Sequence, residues 1–286
     1  MGPVRFRPVC LLLAIGVLGV VGCSGGGAGA ATDDPLLVAA ASDLRPAFAE
    51  LGAAFEAEAG ERVVFNFGSS GQLAQQIIEG APMDLFASAS VAYVERVLEA
   101  GVGDAATQAT YAHGRLAMWS PAARWREWDD LEELAADDRI RTVAIANPEH
   151  APYGLAARQA LESAGVLDRI GPKLVHGENV SDAQRLAATG NADVAIVALS
   201  LALAADEAGE GDWQAVDAGL HEPLQQDLLI VASDPDRARR AARFAAFVNG
   251  EQGRAVMRRF GLSLPGETTP DEGGSGAEGP DAMGDH

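Results

Sequence analysis

Two hydroxyls between two glycines, Gly68-Ser69-Ser70-Gly71, separate an apolar run, Val63–Phe67, from an amphipathic stretch, Gln72–Ile78. The pattern predicts a strand, a tight turn and a helix N-terminus. A helix start offers unpaired amides and the positive end of a dipole, which together favour an anion. No Lys or Arg stands at this point, so an oxyanion bound there would be held by neutral donors. The plainer alternative is a turn that glycine permits, followed by an ordinary N-cap. Three other junctions have a similar design. In Ala41-Ser42-Asp43-Leu44, Ser42 or Asp43 is expected either to cap the following helix or to face a ligand. In Asn147–Gly154 (NPEHAPYG), two prolines stiffen the loop, and Tyr153 is expected either to turn its backbone amide to a cleft or to staple the surface. In Gly177–Asp182 (GENVSD), Asn179 or Ser181 would cap a helix and leave the amide near Val180 free to donate.

Alternating strand-like and helix-like segments must position these junctions. Leu36–Ala41, Val63–Phe67, Asp84–Ala87, Leu116–Trp119, Thr142–Ala146, Leu174–His176, Val194–Ala198 and Leu228–Ala232 read as strands. Leu44–Ala59, Gln72–Ile78, Val91–Ala100, Gly154–Ala164, Ser181–Ala188, Arg237–Asn249 and Glu251–Phe260 carry helical spacing. Such alternation predicts α/β architecture with mostly parallel sheets flanked by helices. Two sheets fit better than one. A chain crossing twice between lobes would place 36–114 and 228–265 in one and 115–227 in the other. Ligands in open α/β sheets sit beyond the carboxyl ends of strands, so two facing lobes form a cleft.

The ends of the chain read differently. Residues 1–23 form a processing segment: Arg5 and Arg7 precede an apolar stretch from Pro8 to Val21, too short for a comfortable membrane span. It closes on Val20-Val21-Gly22-Cys23, which resembles the lipobox of bacterial lipoproteins, with Cys23 cleaved to the N-terminus and lipidated. An ordinary signal peptide with an incidental Cys is the alternative. Cys10 falls within the removed segment, so no disulfide is expected. Residues 24–35 read as a flexible tether, and 266–286 as a disordered acidic, Gly-rich tail. With 21 basic and 41 acidic residues, the net charge of −20 argues against nucleic acid or an anionic membrane surface as a partner. Any anion site must then work locally, in an enclosed pocket.

Four ordered blocks carry a resemblance. LLVAAASDL, VVFNFGSSGQLAQQIIEGAPMDLFASA, IANPEHAPYGLAARQAL and LVHGENVSDAQRLAATGNADVAIVALS are similar to the molybdate-binding proteins of bacterial ABC transporters. The resemblance spans nearly all of Leu36–Pro265. It implies a two-lobed periplasmic-binding-protein fold closing over a tetrahedral oxyanion, molybdate or tungstate. It also implies delivery to a permease; a monomer is expected, tethered to the membrane only by the lipid that the Val20–Cys23 pattern predicts. By the same resemblance, Ser42 and Ser70 match hydroxyl donors, and Tyr153 and Val180 fall where backbone amides donate. Ala198 stands where some members carry a Tyr whose hydroxyl binds the anion, so that donor is expected from Tyr153 instead. No cofactor is implied, and no directly ligated metal cation, since molybdenum enters only as the bound oxyanion. Phosphate is expected to be rejected because no acceptor awaits its proton.

Other classes fit less well. The hydroxyl turn does not match the G-x-S-x-G elbow of a secreted serine hydrolase, and of His113, His150, His176 and His221 none is evidently placed as a base. Glu149-His150 alone is a weak metal signal. A binding protein for sulfate, phosphate or a small carboxylate is the nearer rival, although no Arg lies within the four junctions. The four tryptophans are expected to pack in or on the second lobe. Asp129–Asp138 is expected to be a solvated helix, and Arg237–Arg243 a basic face balancing local acid.

Overall fold

The eight segments read as strands all become strands, and with two more they sort into two five-stranded sheets. In a computed structural model, which describes residues 34–124 and 127–267, the described residues fall in one compact unit. The processing segment, Cys23, Trp125 and the tail from residue 268 lie outside the described residues.

The first sheet contains β1 (Leu36–Ala41), β2 (Val63–Gly68), β3 (Leu85–Ser88), β4 (Ala109–Gly114) and β10 (Leu224–Ile230), in the order β2-β1-β3-β10-β4. The second contains β5 (Leu116–Ser120), β6 (Val143–Ala146), β7 (Leu174–Gly177), β8 (Val194–Ala198) and β9 (Asp212–Ala215), in the order β7-β6-β8-β5-β9. The two orders correspond strand for strand. In each sheet a central strand pairs in parallel with two neighbours, and the remaining two pairings are antiparallel. Four of the five strands in each sheet therefore run in one direction and only β10 or β5 runs against them, so each sheet is mixed and mostly parallel, as expected. The strand that breaks the parallel run, β5 or β10, is the one by which the chain enters that lobe after crossing over. No α-helix separates it from the strand before it.

Helices α1 (Arg45–Ala59), α2 (Ser70–Ile78), α3 (Val91–Glu99), α9 (Pro235–Asn249) and α10 (Glu251–Arg259) belong to the first lobe. Helices α4 (Leu131–Ala136), α5 (Pro152–Ser163), α6 (Leu167–Ile170), α7 (Val180–Ala188) and α8 (Leu199–Glu207) belong to the second. Central strands covered on both faces have near-continuous apolar sequences: β6 (VAIA) and β8 (VAIVA) are buried throughout. The edge strand β2 (VVFNFG) instead alternates between exposed and half-buried. Phe48 and Phe55 of α1 meet Phe244 of α9 edge-on, at centroid distances of 5.9 and 5.2 Å, and close one face of the first sheet. Leu73, Ile77, Val94 and Val97 of α2 and α3 cover the other face.

Several boundaries move. The expected lobe border at 227/228 falls inside β10, which is paired with β4 from Leu224 onward, so the chain has already crossed back by that residue. The segment expected as a solvated acidic helix is helical only over Leu131–Ala136, where Leu131, Leu134 and Ala135 are buried and Asp130 caps the N-terminus. The inner ends of tether and tail are also engaged. Asp34 pairs with Arg237, and Glu267 pairs with Arg258 at 2.6 Å and with Arg254 at 3.2 Å. The basic face of α9 meets acid as expected: Arg237 grips the buried Asp84 at 2.6 Å, and Arg240 and Arg243 both reach Glu61. Trp119 and Trp213 face each other across the β5–β9 pair in the second lobe. None of Trp119, Trp128 and Trp213 lines the cleft.

Candidate functional site

Parallel strands aim their carboxyl ends at one place, and this placement builds the site. One pocket is lined by Ala41, Ser42 and Asp43 beyond β1, Gly68, Ser69 and Ser70 at β2, and Ala89 beyond β3. It is completed from the second lobe by Ala151, Pro152 and Tyr153 beyond β6 and by Val180 beyond β7. The four residues singled out from sequence, Ser42, Ser70, Tyr153 and Val180, thus meet in one cleft, two from each lobe.

The donors are of two kinds. Ser70 is the first residue of α2, fully buried, and its Oγ accepts a hydrogen bond from the Ala89 amide at 3.0 Å. With that lone pair taken, its proton is free to be donated into the cleft. Ser42 Oγ similarly accepts, at 3.4 Å, from the Ser181 amide of the opposite lobe. Neither Ser42 nor Asp43 caps the next helix. A 3₁₀ turn over Ser42–Leu44 precedes α1, and no side chain caps either element. Ser69, the neighbour of Ser70, is the N-cap of α2 and accepts from Gln72.

From the second lobe come backbone amides. Helix α5 opens at Pro152, two residues earlier than expected, which puts Tyr153 in its first turn behind an N-cap, Ala151, that has no capping side chain. Asn179 caps α7 by accepting from the Asp182 amide at 3.0 Å, while Ser181 Oγ instead donates across the cleft to the Ser42 carbonyl at 2.9 Å. The amides of Tyr153 and Val180 have no acceptor among the described residues. Three helix N-termini of at least two turns therefore converge, with the electrostatic bias toward negative charge that this implies. Among the described residues no Lys or Arg lines the pocket.

The Tyr153 side chain is not a surface staple. It is buried, and its hydroxyl donates to Asp43 Oδ2 at 3.0 Å. Gln226 of β10 donates to the same carboxylate oxygen at 2.8 Å and to the Tyr153 oxygen at 3.0 Å, while Tyr111 of β4 donates to Gln226 Oε1 at 2.7 Å. The Tyr153 hydroxyl is thus committed to Asp43 and is not available to replace the donor missing at Ala198. Tyr153 is left with its amide for a ligand, and Ala198 lies buried outside the pocket lining. Gly114 admits this arrangement, because a Cβ there would lie 2.1 Å from the Tyr153 oxygen.

Sequence reasoning missed Gln226 and Tyr111 as partners in the site, and it weighed Asp43 as a cap or a ligand contact without foreseeing its buried hydrogen-bond network. Asp43 is fully buried and lines the pocket, and burial pushes its carboxyl up to about 6 against the opposing hydrogen bonds from Gln226 and Tyr153. Its Oδ1 is buried with no hydrogen-bond partner. The expected ground for rejecting phosphate, that no acceptor awaits its proton, therefore does not hold: a carboxylate lines the pocket. The available signal was an acid placed directly after the all-apolar strand LLVAAA, where no solvated position awaits it.

Further hydrogen bonds join the lobes. Ser200 Oγ of α8 donates to the Asp43 carbonyl at 2.7 Å, Gly71 donates to the His150 carbonyl at 3.0 Å, and Ser69 Oγ lies 2.8 Å from His150 Nδ1. His150, expected at a loop surface, is thus an interlobe contact. Its ring shows no carboxylate partner among the described residues, so the pair with Ser69 lacks the third member of a hydrolytic triad.

Two matched α/β lobes whose strand ends close on a single pocket of neutral donors define a two-lobed solute-binding protein. The profile of the bacterial extracellular solute-binding proteins matches residues 36–263. The chain is 34% identical over 232 residues to the molybdate-binding protein ModA of Rhodobacter capsulatus, covering 81% of this chain and 89% of that protein. With ModA of Azotobacter vinelandii it shares 31% identity over 254 residues, covering 89% and 97%. The chain belongs to the bacterial extracellular solute-binding proteins and, among them, to the family of the molybdate-binding proteins. The solved structure of the Azotobacter vinelandii periplasmic molybdate-binding protein superposes with a TM-score of 0.74 at 31% identity, over 80% of this chain and 99% of that one. The fold is also similar to that of the sulfate-binding protein SubI of Mycobacterium tuberculosis H37Rv, with a TM-score of 0.66 at 18% identity, covering 81% and 87%.

Proposed function

We propose that the cleft captures molybdate, with tungstate accepted on the same geometry, and that the chain delivers it to an ABC permease. The observation that carries this reading is the convergence of Ser42, Ser70 and the unpaired amides of Tyr153 and Val180 on a pocket without Lys or Arg among its lining residues. The resident donors are neutral, and each hydrogen bond to an ionised acceptor is worth about 1.5–3 kcal/mol. Four or more of them in a dry cleft support tight binding after the costs of desolvation and closure. Selection is then by size, since a rigid set of donors spaced for the larger molybdate reaches sulfate poorly. Catalysis has no part in this role, and the ligand is cargo, not a cofactor. Delivery is from an exported monomer, lipid-anchored through Cys23 at the cell membrane and facing outward.

Thermal melting of the purified chain with molybdate, tungstate, sulfate and phosphate tests the reading. A specific ligand raises the midpoint in proportion to the logarithm of its concentration over its dissociation constant. Molybdate and tungstate are expected to give the largest shifts; a larger shift with sulfate or phosphate would overturn the assignment. For the anchor, Cys23→Ser is expected to leave unprocessed precursor without lipid, and normal lipid labelling of that variant would count against it.

A further inference from the structure

We propose that capture of a doubly charged oxyanion in this cleft takes up about one proton from solvent, which is held at Asp43 Oδ1 and shared with the anion. The inference rests on the reading of the cleft as an oxyanion site. Its starting point is an imbalance. Asp43 Oδ2 receives two side-chain hydrogen bonds, from Tyr153 and Gln226, and the amides of Asp43 and Leu44 also act on the carboxyl, whereas Oδ1 has no partner in hydrogen-bond geometry. A buried carboxylate oxygen left bare is costly; a carboxyl whose proton sits on that oxygen is a donor in need of an acceptor. The residue lines the pocket in which an anion would supply one.

The surroundings point the same way. Tyr153 from α5 and Tyr111 from β4 are titratable neighbours, and both are held neutral, pushed well above the usual phenol range by burial and by the Asp43 charge. Asp227 of β10, which also acts on Tyr111, adds negative charge. Helices α7 and α8 bring neutral donors to this turn: Ser181 gives its amide to Ser42 Oγ and its hydroxyl to the Ser42 carbonyl, and Ser200 gives its hydroxyl to the Asp43 carbonyl. Arg45 at the start of α1 lies over the Phe67 ring, 4.5 Å from its centroid. No cation figures among the groups acting on the Asp43 carboxyl. A dianion entering beside an uncompensated carboxylate would meet like charge in a medium that screens it poorly. Taking up a proton removes the repulsion and adds a donor. Burial has already raised this carboxyl to about 6, so the further rise needed to hold a proton in neutral solution is small.

The test is titration calorimetry of the purified chain with molybdate near pH 8, in two buffers of different protonation enthalpy. The buffer dependence of the heat counts the protons exchanged. The expected result is uptake of about one proton, with affinity falling about tenfold per pH unit above the range where Asp43 titrates in the empty cleft. Asp43→Asn keeps an oxygen for Tyr153 and Gln226 and places an N–H₂ donor where the proton would sit. It is expected to bind molybdate without proton uptake and without the pH dependence. Zero proton uptake by the wild-type chain overturns the inference while leaving the functional reading intact, as does unchanged uptake in Asp43→Asn. Should that variant fail to fold, the wild-type count still decides. Should molybdate not bind, the functional reading fails and the same count with sulfate decides the proton question; if neither anion binds, both proposals fall.

Discussion

The two walls of the cleft reach the same end by different chemistry. The first lobe supplies side-chain hydroxyls, Ser42 and Ser70, each fixed by accepting a backbone amide. The second supplies bare backbone amides, Tyr153 and Val180, at the starts of α5 and α7. The sheets behind them have matching strand orders, so the contrast arises in the connection that leaves each strand. After β1 and β2 the chain turns at once through small polar residues. After β6 and β7 it runs through a loop before the helix begins, and Tyr153 and Val180 line the pocket from the first turns of α5 and α7, their amides without an acceptor among the described residues. A hydroxyl wall is open to change by single substitutions, whereas an amide wall tolerates nearly any side chain. On the proposed reading, specificity encoded in amides would be hard to lose by mutation, since only proline deletes an amide.

That contrast can be broken directly. Val180→Pro removes one amide at a helix position where proline is tolerated, and Asn179 before it is already extended, with φ −149° and ψ 177°. Molybdate affinity is expected to fall about ten- to a hundredfold with the fold retained. An unchanged dissociation constant by calorimetry would take this amide out of the site. Next come the hydroxyls. Ser70→Ala is expected to weaken binding about tenfold or more, and Ser42→Ala by less, because Ser42 is the more loosely held at 3.4 Å. Equal or reversed effects would show that the hydroxyl wall is not ordered as described.

The smallest effect concerns the carboxyl between the walls. A carboxyl raised in the folded state contributes stability that is fully present below its unfolded value, 3.8, and is lost as pH rises through its folded value of about 6. In the absence of ligand, the melting temperature of Asp43→Asn relative to the wild-type chain is therefore expected to rise across that window and then level off. A flat difference would mean that Asp43 titrates normally.

How much of this is legible in the sequence depends on polarity pattern. Leu36–Ala41 is legible to its true ends because a run of apolar residues flanked by Ser-Asp has one plausible structure. Helix α8 is not, because LSLALAADE is apolar over most of its length and shows little contrast between faces. Strand β9 escapes notice because its four residues, DWQA, are all half-buried at a sheet edge. The start of β10 is hidden for a different reason. Gln225, Gln226 and Asp227 look like a solvated loop, yet Gln226 and Asp227 are buried, satisfied by Tyr153, Tyr111, Gln108 and Thr110. The register between β10 and β4 shifts at Gln226/Asp227, the kind of irregularity that re-aims side chains. The misplaced lobe border and the unforeseen Asp43–Tyr153–Gln226–Tyr111 network thus have one cause: buried polar residues whose partners lie far away in sequence. The four donors are legible because each sits where a strand pattern gives way to a helix pattern, and that transition is local.

A crystal structure of the chain with molybdate tests the central claim most directly. The anion is expected between the lobes, within hydrogen-bond distance of Ser42 Oγ, Ser70 Oγ and the amides of Tyr153 and Val180, with no guanidinium, ammonium or metal cation touching it. An anion clasped by a basic side chain or a bound cation, or seated anywhere else, would contradict the account.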